Sequence, residues 1–169
     1  MTKIESSEDF AAVRETWAQG TARPAINNRS NVEHIEFEGQ DIAVLLSGED
    51  TAGQMAICEV AAQPGTGATN HHQTSEEEYW YILEGDWEVK TGDKAQTVGP
   101  GDMVLIPRMT THAFRLISDK PGKMLTIHAP AGHELFFKDL ERNIKAKTPP
   151  EELFPGLARF NVVFEEMPS

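Results

Sequence analysis

The sequence has little cysteine and no long apolar run. Its one cysteine, Cys58, lies within the apolar stretch MAICEV, so we expect a small buried core residue rather than a reactive thiol. One cysteine provides no disulfide framework, which suits a reducing compartment. No segment approaches the ~18 apolar residues that span a bilayer, and the N-terminus lacks the apolar core of a signal peptide. We therefore expect a cytoplasmic protein without a membrane partner.

Positive charge is also scarce. The 169 residues include 27 acidic and 15 basic side chains, which gives a formal net charge of -12. No cluster of Lys or Arg offers a track for phosphates. The composition therefore argues against nucleic acid as a partner.

The chain length predicts one domain. The first residues have the pattern of a helix that precedes it. Phe10, Val13 and Trp17 fall on one helical face, Ser6 or Ser7 can cap this helix, and Gly20 can end it. We assign residues 1–30 to an N-terminal helical segment. Residues 31–169 are predicted to form a single β-barrel domain with a C-terminal helical extension.

After Asn31 the residue pattern changes to short runs rich in β-branched and aromatic residues. Gly, Pro and Asp separate these runs at intervals of about ten residues. This spacing is typical of an antiparallel sandwich or barrel, because parallel strands need helices between them. The pattern predicts an all-β fold of about eight to ten strands. Helix returns only near the end, in GHELFFKDLER and in PPEELFPGLARF.

Residues 70–85, NHHQTSEEEYWYILEG, contain several potential metal ligands followed by a run of bulky aromatic and aliphatic residues that favours a β-strand. Alternate residues of a strand project to one face, so His71 and Gln73 can meet a common ion. Of the three following glutamates, Glu78 is closest to the body of the next strand and is the expected partner. Alternation turns His72 to the opposite face, and a bulge would be needed to bring it back.

Other polar residues near this stretch receive simpler interpretations. Glu76 and Glu77 are expected to be solvated, because uncompensated carboxylates beside Glu78 would raise a pKa and favour protonation. His34 and His133 are expected at strand or helix ends, and His128 is a candidate for the barrel mouth. An acidic edge turn with ordinary sandwich histidines is the alternative for the whole cluster.

The spacing of these residues resembles the first motif of the cupin superfamily, G-x5-H-x-H-x3–4-E-x6-G. The matching residues are Gly65, His71, Gln73, Glu78 and Gly85, with Gln73 in the place of the second histidine. The second cupin motif, G-x5-P-x-G-x2-H-x3-N, is matched by Gly101, Pro107 and His112. The chain departs from this motif at two positions: Met109 replaces the Gly that follows the Pro, and Leu116 replaces the final Asn.

Over roughly residues 40 to 165 the chain is similar to small bacterial cupins of the quercetin-2,3-dioxygenase-like kind. The resemblance implies a double-stranded β-helix, the cupin jelly-roll barrel, with a divalent metal ion inside. Its ligands would be His71, Gln73, Glu78 and His112. Glutamine is a weaker and harder donor than imidazole, so the metal stays open among Fe, Mn, Ni, Cu and Zn.

The resemblance further implies a metal-dependent dioxygenase-like enzyme for a small aromatic or enolic oxygenated compound. Glu78 would be both ligand and catalytic base. Residues that share parity with the ligands are expected to line the substrate pocket: Trp80, Ile82, Phe114 and Leu116. Plain sandwich core is the alternative for these four.

Two other functions remain open. Gln73 favours a non-redox isomerase, cyclase or lyase that uses a Zn-type Lewis acid, and the departures in the second motif favour a ligand-binding protein without turnover. By resemblance we expect a homodimer; the helix that carries Phe10 packs either on its own barrel or on a partner. Met109 stands where a positive φ resisted by its side chain is expected, so the turn before His112 is predicted to differ.

Overall fold

The structure, a computed structural model, describes residues 3–165. Residues 1–2 and 166–169, the outer ends of the two predicted segments, lie outside the described residues. The strands are β1 (His34–Phe37), β2 (Gln40–Leu46), β3 (Ala56–Ala62), β4 (Gly67–Gln73), β5 (Glu77–Glu84), β6 (Trp87–Thr91), β7 (Lys94–Val98), β8 (Met103–Ile106), β9 (His112–Leu116), β10 (Gly122–Ala129) and β11 (Val162–Phe164). The helices are α1 (Ser7–Ala18), α2 (His133–Lys145) and α3 (Pro150–Leu157), and short 3-10 turns lie at Arg29–Asn31 and Ala158–Phe160.

These strands form two antiparallel sheets that face each other in a β-barrel. One sheet has the order β1-β2-β3-β10-β5-β8, and the other has the order β11-β4-β9-β6-β7. The predicted all-β, antiparallel class is confirmed, but the expected eight to ten strands are too few. Between residues 3 and 165 there are eleven, and β11 has only three residues, too short for a periodic pattern to indicate.

Helix α1 begins where the sequence predicts. The Ser6 hydroxyl accepts a hydrogen bond from the backbone N–H of Asp9 (3.1 Å), and the Asp9 carboxylate accepts one from the backbone N–H of Ser6 (3.0 Å). The helix ends at Ala18, two residues before Gly20. Phe10 is fully buried and meets Phe160 edge-on at 5.5 Å. The apolar face of α1 therefore packs on its own chain.

Two further expectations concern Cys58 and the membrane. Cys58 is fully buried in the barrel core, and burial raises the pKa of its thiol, as expected of a core residue. Within residues 3–165, every helix is too short or too polar to cross a bilayer.

The loop between β8 and β9 takes the turn conformation that its cupin-like position predicts. Met109 has a φ of +64°, in the left-handed region that favours glycine. Its backbone N–H donates to the carbonyl of Gln73 (2.7 Å), which ties this loop to β4. Met109 thus adopts the positive φ that its side chain resists, and the predicted departure of this turn is not observed. The loop delivers His112 into the barrel.

Helices α2 and α3 cover one end of the barrel. Phe137 of α2 packs against Phe37 at the end of β1, with 6.2 Å between ring centroids. A second apolar cluster joins α2 and α3 to α1 and β11, and its buried members include Phe136, Leu153 and Leu157. The C-terminal helices are therefore part of the wall around the barrel interior.

Candidate metal centre

Three strands deliver the residues of the cupin-like motifs to one place. His71 and Gln73 lie on β4, Glu78 lies on β5, and His112 is the first residue of β9, directly opposite His71 in the ladder. All four side chains are buried. The ring centroids of His71 and His112 are 4.2 Å apart and the rings are inclined by 51°. The structure thus brings together the four predicted ligand residues.

The histidine rings are held in a defined orientation by the backbone. Nδ1 of His71 lies 2.7 Å from the carbonyl oxygen of Thr69, and Nδ1 of His112 lies 2.9 Å from that of Thr110. A ring that donates from Nδ1 to a carbonyl presents the lone pair of Nε2, the tautomer found in metal-bound histidines. The Nε2 atom of each ring is therefore the one available to a cation.

The donor set fits a divalent ion. Nε2 of His112 is buried without a hydrogen-bond partner and lies 3.3 Å from Oε2 of Glu78. Ligand atoms of His71, Glu78 and His112 all lie within 4.8 Å of one another. Two neutral imidazoles and one carboxylate make a set that binds first-row transition metals and leaves coordination positions open. A cation here would satisfy the orphaned nitrogen of His112.

Gln73 touches the carboxylate instead of pointing its oxygen at the same space. Its Nε2 donates to Oε1 of Glu78 at 2.8 Å. In this arrangement the amide holds Glu78 in place, and it presents a donor rather than a lone pair to the group. The assignment of Gln73 as a fourth ligand stays a prediction.

A second group of histidines meets Glu78 from the other side. Nε2 of His128 lies 3.2 Å from Oε1 of Glu78, and Nε2 of His133 lies 3.7 Å from the same atom. These two rings are stacked, with centroids 4.1 Å apart and planes inclined by only 8°. Ligand atoms of Glu78, His128 and His133 also lie within 4.8 Å of one another, so these residues form a second group that could hold a cation.

The prediction that Glu76 is solvated is wrong. Glu76 is buried, and its Oε1 lies 2.6 Å from Nδ1 of His133. The imidazole supplies the compensation that the sequence argument assumed to be missing. Glu77, the next residue, faces outward and pairs with Arg108. His133 is the first residue of α2, as expected of a helix end, but its ring reaches the barrel interior.

The other histidines stay outside this centre. His34, at the start of β1, lies between the carboxylate of Asp41 (2.7 Å) and the carbonyl of Arg29 (2.6 Å) at the surface. Nδ1 of His72 is 3.6 Å from a carboxylate oxygen of Glu165, and His72 belongs to neither ligand group. Strand alternation therefore turns His72 away, as predicted.

Sequence reasoning missed His128 and His133 as members of the centre. His128 lies directly opposite Glu78 in the ladder between β10 and β5. Its parity with the buried Met124 and Thr126 was a usable signal, because alternate residues of β10 face the interior. No comparable signal exists for His133, since it depends on how α2 docks against the barrel.

The surroundings set the charges of the centre. Burial raises the pKa of Glu78, but the imidazoles of His112 and His128 outweigh it and hold that pKa well below its ordinary value. Burial, aided by His112, lowers the pKa of His71 to about 4. Burial also lowers the pKa of His133, but the carboxylates of Glu76 and Glu78 prevail and raise it overall. At neutral pH the ring of His71 is therefore uncharged and the carboxylate of Glu78 is ionised.

A cavity of about 150 Å³ opens from this centre towards α2 and α3. Its polar end is formed by His71, Glu78, His128 and His133. The rest of the wall is largely apolar and includes six of the eight phenylalanines: Phe37, Phe114, Phe136, Phe137, Phe154 and Phe164. Two of the candidate ligands, His71 and Glu78, thus line a space that is open to a small molecule.

The predicted pocket needs correction at three of its four residues. Phe114 lines the cavity, but Trp80, Ile82 and Leu116 do not; they lie fully buried in the main core. Their parity does point them inward, as expected. A narrow barrel must be filled, so inward residues away from the ligand group become packing, and the open space lies on the helical side.

Comparisons with known proteins agree with this architecture. Residues 58–128 match the model of the cupin domain family. This segment is a cupin domain. This segment contains every one of the predicted ligands, and its flanks supply α1, β11 and the helices that enclose the cavity.

One curated relative is a quercetin 2,3-dioxygenase of Bacillus subtilis, 28% identical over 97 residues. That stretch is 57% of this chain and only 28% of the relative. Among solved structures, the polyketide cyclase RemF of Streptomyces resistomycificus is 21% identical, with a TM-score of 0.57 over 63% of this chain and 80% of that one. A predicted oxalate decarboxylase of Thermotoga maritima is 18% identical, with a TM-score of 0.59 over 63% and 99%. These likenesses show the shared barrel.

Proposed function

We propose that this cupin is a metal-dependent enzyme of dioxygenase type that acts on a small aromatic or enolic oxygenated compound. The supporting observation is the orphaned Nε2 of His112 beside the carboxylate of Glu78, a carboxylate that itself lies at the polar end of a phenylalanine-lined cavity. The likeness to a quercetin 2,3-dioxygenase supports the same reaction class.

His71, Glu78 and His112 would hold the ion, and a redox-active ion bound there would activate a chelated enol or phenol towards O2. The chain itself supplies a base. Glu78 is ionised at neutral pH and lies on the cavity wall, so it is placed to accept the hydroxyl proton of the substrate. Gln73 holds its Oε1 atom, and the surrounding phenylalanines exclude water from the bound molecule.

A non-redox reaction is the second candidate, and Gln73 favours it. Where most cupins are expected to have imidazole, this chain has an amide, which lowers the affinity for soft or borderline ions. The shared fold with a polyketide cyclase gives an example of another reaction class on this barrel. A Lewis-acidic ion would then polarise a carbonyl for isomerisation, cyclisation or elimination. Ligand binding without turnover is the remaining alternative.

Oxygen consumption separates these candidates. The protein, loaded in turn with Fe(II), Mn(II), Ni(II), Cu(II) and Zn(II), is mixed with a panel of catechols, enols and β-diketones in an oxygen-electrode cell. The proposal expects uptake of O2 in proportion to substrate with at least one redox-active ion and none with Zn(II). His112→Ala should abolish uptake, whereas the surface variant His34→Ala should retain it. Substrate turnover without O2 uptake would replace the proposal by the non-redox candidate.

A further inference from the structure

The cavity limits the substrate more narrowly than the reaction class does. We infer that the substrate is a single-ring compound that carries no charge along its body and presents its reacting oxygen atoms at one edge. This inference rests on the proposed function for the chemistry at the oxygenated edge. Its steric part rests on the volume and lining of the cavity alone.

The volume sets the size. A dry protein cavity of roughly 150 Å³ accepts one benzene ring, whereas drug-sized ligands need about 300 Å³ or more. The cavity here measures about 150 Å³. Quercetin has three rings, so the substrate named for the curated relative is too large for this space. The likeness to that relative therefore covers the barrel and not the shape of the ligand.

The lining sets the polarity. Lys and Arg are absent from the described residues that line the cavity, and the carboxylates that line it are those of Glu38 at the mouth and Glu78 inside. A phosphate or a carboxylate on the body of a ligand would thus meet no cation along the walls, and burial without a partner is costly. Apart from the histidines, the remaining polar side chains of the lining, Gln40, Thr69 and Thr126, are uncharged. A ligand can therefore carry no charge along its body, and the imidazoles and Glu78 receive its oxygenated edge.

The shape of the wall favours a flat ring. Phe114 lines the cavity from β9. Phe136 and Phe137 line it from α2, with their rings 5.6 Å apart and inclined by 51°. Aromatic side chains at such angles offer both faces and edges to a bound ring. Leu140 and Ile144 continue this wall one and two turns further along α2.

These features identify α2 as the element that sets ligand size. Leu140 lines the cavity and belongs to neither group of candidate ligands, so changing its side chain removes no ligand atom. Leu135 lies on the same helix but faces a different surface hollow. Leu135→Ala is therefore a matched control for Leu140→Ala.

Ligand binding tests the inference without reference to turnover. Toluene, catechol and quercetin are titrated into the protein, both as purified and after chelation, and binding is followed by amide chemical shifts and by the melting temperature. We expect toluene and catechol to bind and quercetin not to bind. Leu140→Ala should admit a two-ring probe such as naphthalene at least ten-fold more tightly, Leu140→Phe should weaken toluene binding, and Leu135→Ala should do neither.

The outcomes are separable from those of the proposed function. Binding of quercetin as tightly as catechol, or no binding of toluene to either form, overturns the inference even if oxygen is consumed. Toluene binding to the chelated protein supports the steric part even if no metal ion supports turnover. Equal effects of Leu140→Ala and Leu135→Ala would show that α2 does not set the size.

Discussion

Glu76 and His133 form a buried pair, with 2.6 Å between Oε1 and Nδ1, that joins the start of β5 to the first residue of α2. The pair orients the other ring nitrogen of His133 towards Glu78. It therefore connects the centre in the barrel to the helix that encloses the cavity. Its energetic role depends on pH, because the carboxylates keep the pKa of His133 above its ordinary value.

Glu76→Gln should lower the pKa of His133 and destabilise the protein more in acid than in base. The contribution of a raised histidine pKa is complete below the unfolded value near 6.5 and is lost as pH rises through the folded value. We expect a loss of about 1–3 kcal/mol in the free energy of unfolding at pH 5.5 and a smaller loss at pH 9. Urea denaturation at both pH values measures it.

Glu77→Gln is the control for that variant. Glu77 is adjacent in sequence, but its partner Arg108 lies at the surface, where an ion pair contributes less than about 1 kcal/mol. The same loss in both variants at pH 5.5 would contradict the assignment of a special role to Glu76.

His71 predicts a different pH dependence. Its folded pKa of about 4 lies below the unfolded value, so between these values the unfolded chain binds a proton that the folded protein excludes. After chelation, the free energy of unfolding should fall by about 3 kcal/mol on this account as pH drops from 6.5 to 4. His71→Gln lacks the titrating ring and should show a shallower slope in that window. Equal slopes would refute the assigned burial effect.

Met109→Gly should stabilise the fold. Met109 adopts a left-handed backbone, its side chain is 63% exposed, and glycine removes the steric cost of the positive φ. We expect a gain of about 0.5–1 kcal/mol in the free energy of unfolding. Met103→Gly is the control, because Met103 is 60% exposed but lies within strand β8, where glycine is unfavourable. A gain from both changes would exclude the φ explanation.

The outer face of the larger sheet predicts self-association. The exposed side chains of Tyr81 and Met103 lie opposite each other across β5 and β8, and the exposed Leu105 lies opposite the half-buried Tyr79. We propose a second copy as the partner for this face, because two chains of charge -12 can approach closely only where charge is absent. Leu105→Glu should therefore shift the protein towards monomer in sedimentation.

Ile26→Glu supplies the matched control for the surface test. It introduces the same charge at an apolar residue that is 97% exposed and precedes the first strand. A monomeric wild type, or an equal shift by both variants, would contradict the proposed interface.

The side-chain directions along single strands and the identity of the motif residues can be derived from the sequence. Alternation along β4 places His71 beside Gln73 and turns His72 away, and the motif spacing indicates Glu78 and His112. The burial of Glu76 cannot be derived in this way, because its compensating partner His133 is 57 residues distant and arrives only when α2 docks. The position of the cavity cannot be predicted from the sequence for the same reason, because helix packing decides which inward-facing residues border open space.

Metal content is the decisive measurement for the centre formed by His71, Glu78 and His112. The protein is purified without chelators or an affinity metal column, and bound transition metal is measured by elemental analysis together with affinity by titration. We predict one ion per chain, at least 100-fold weaker binding in Glu78→Gln and in His112→Ala, and unchanged binding in His34→Ala. A metal-free protein that no divalent ion binds or stabilises, or equal binding in all these variants, would contradict the account.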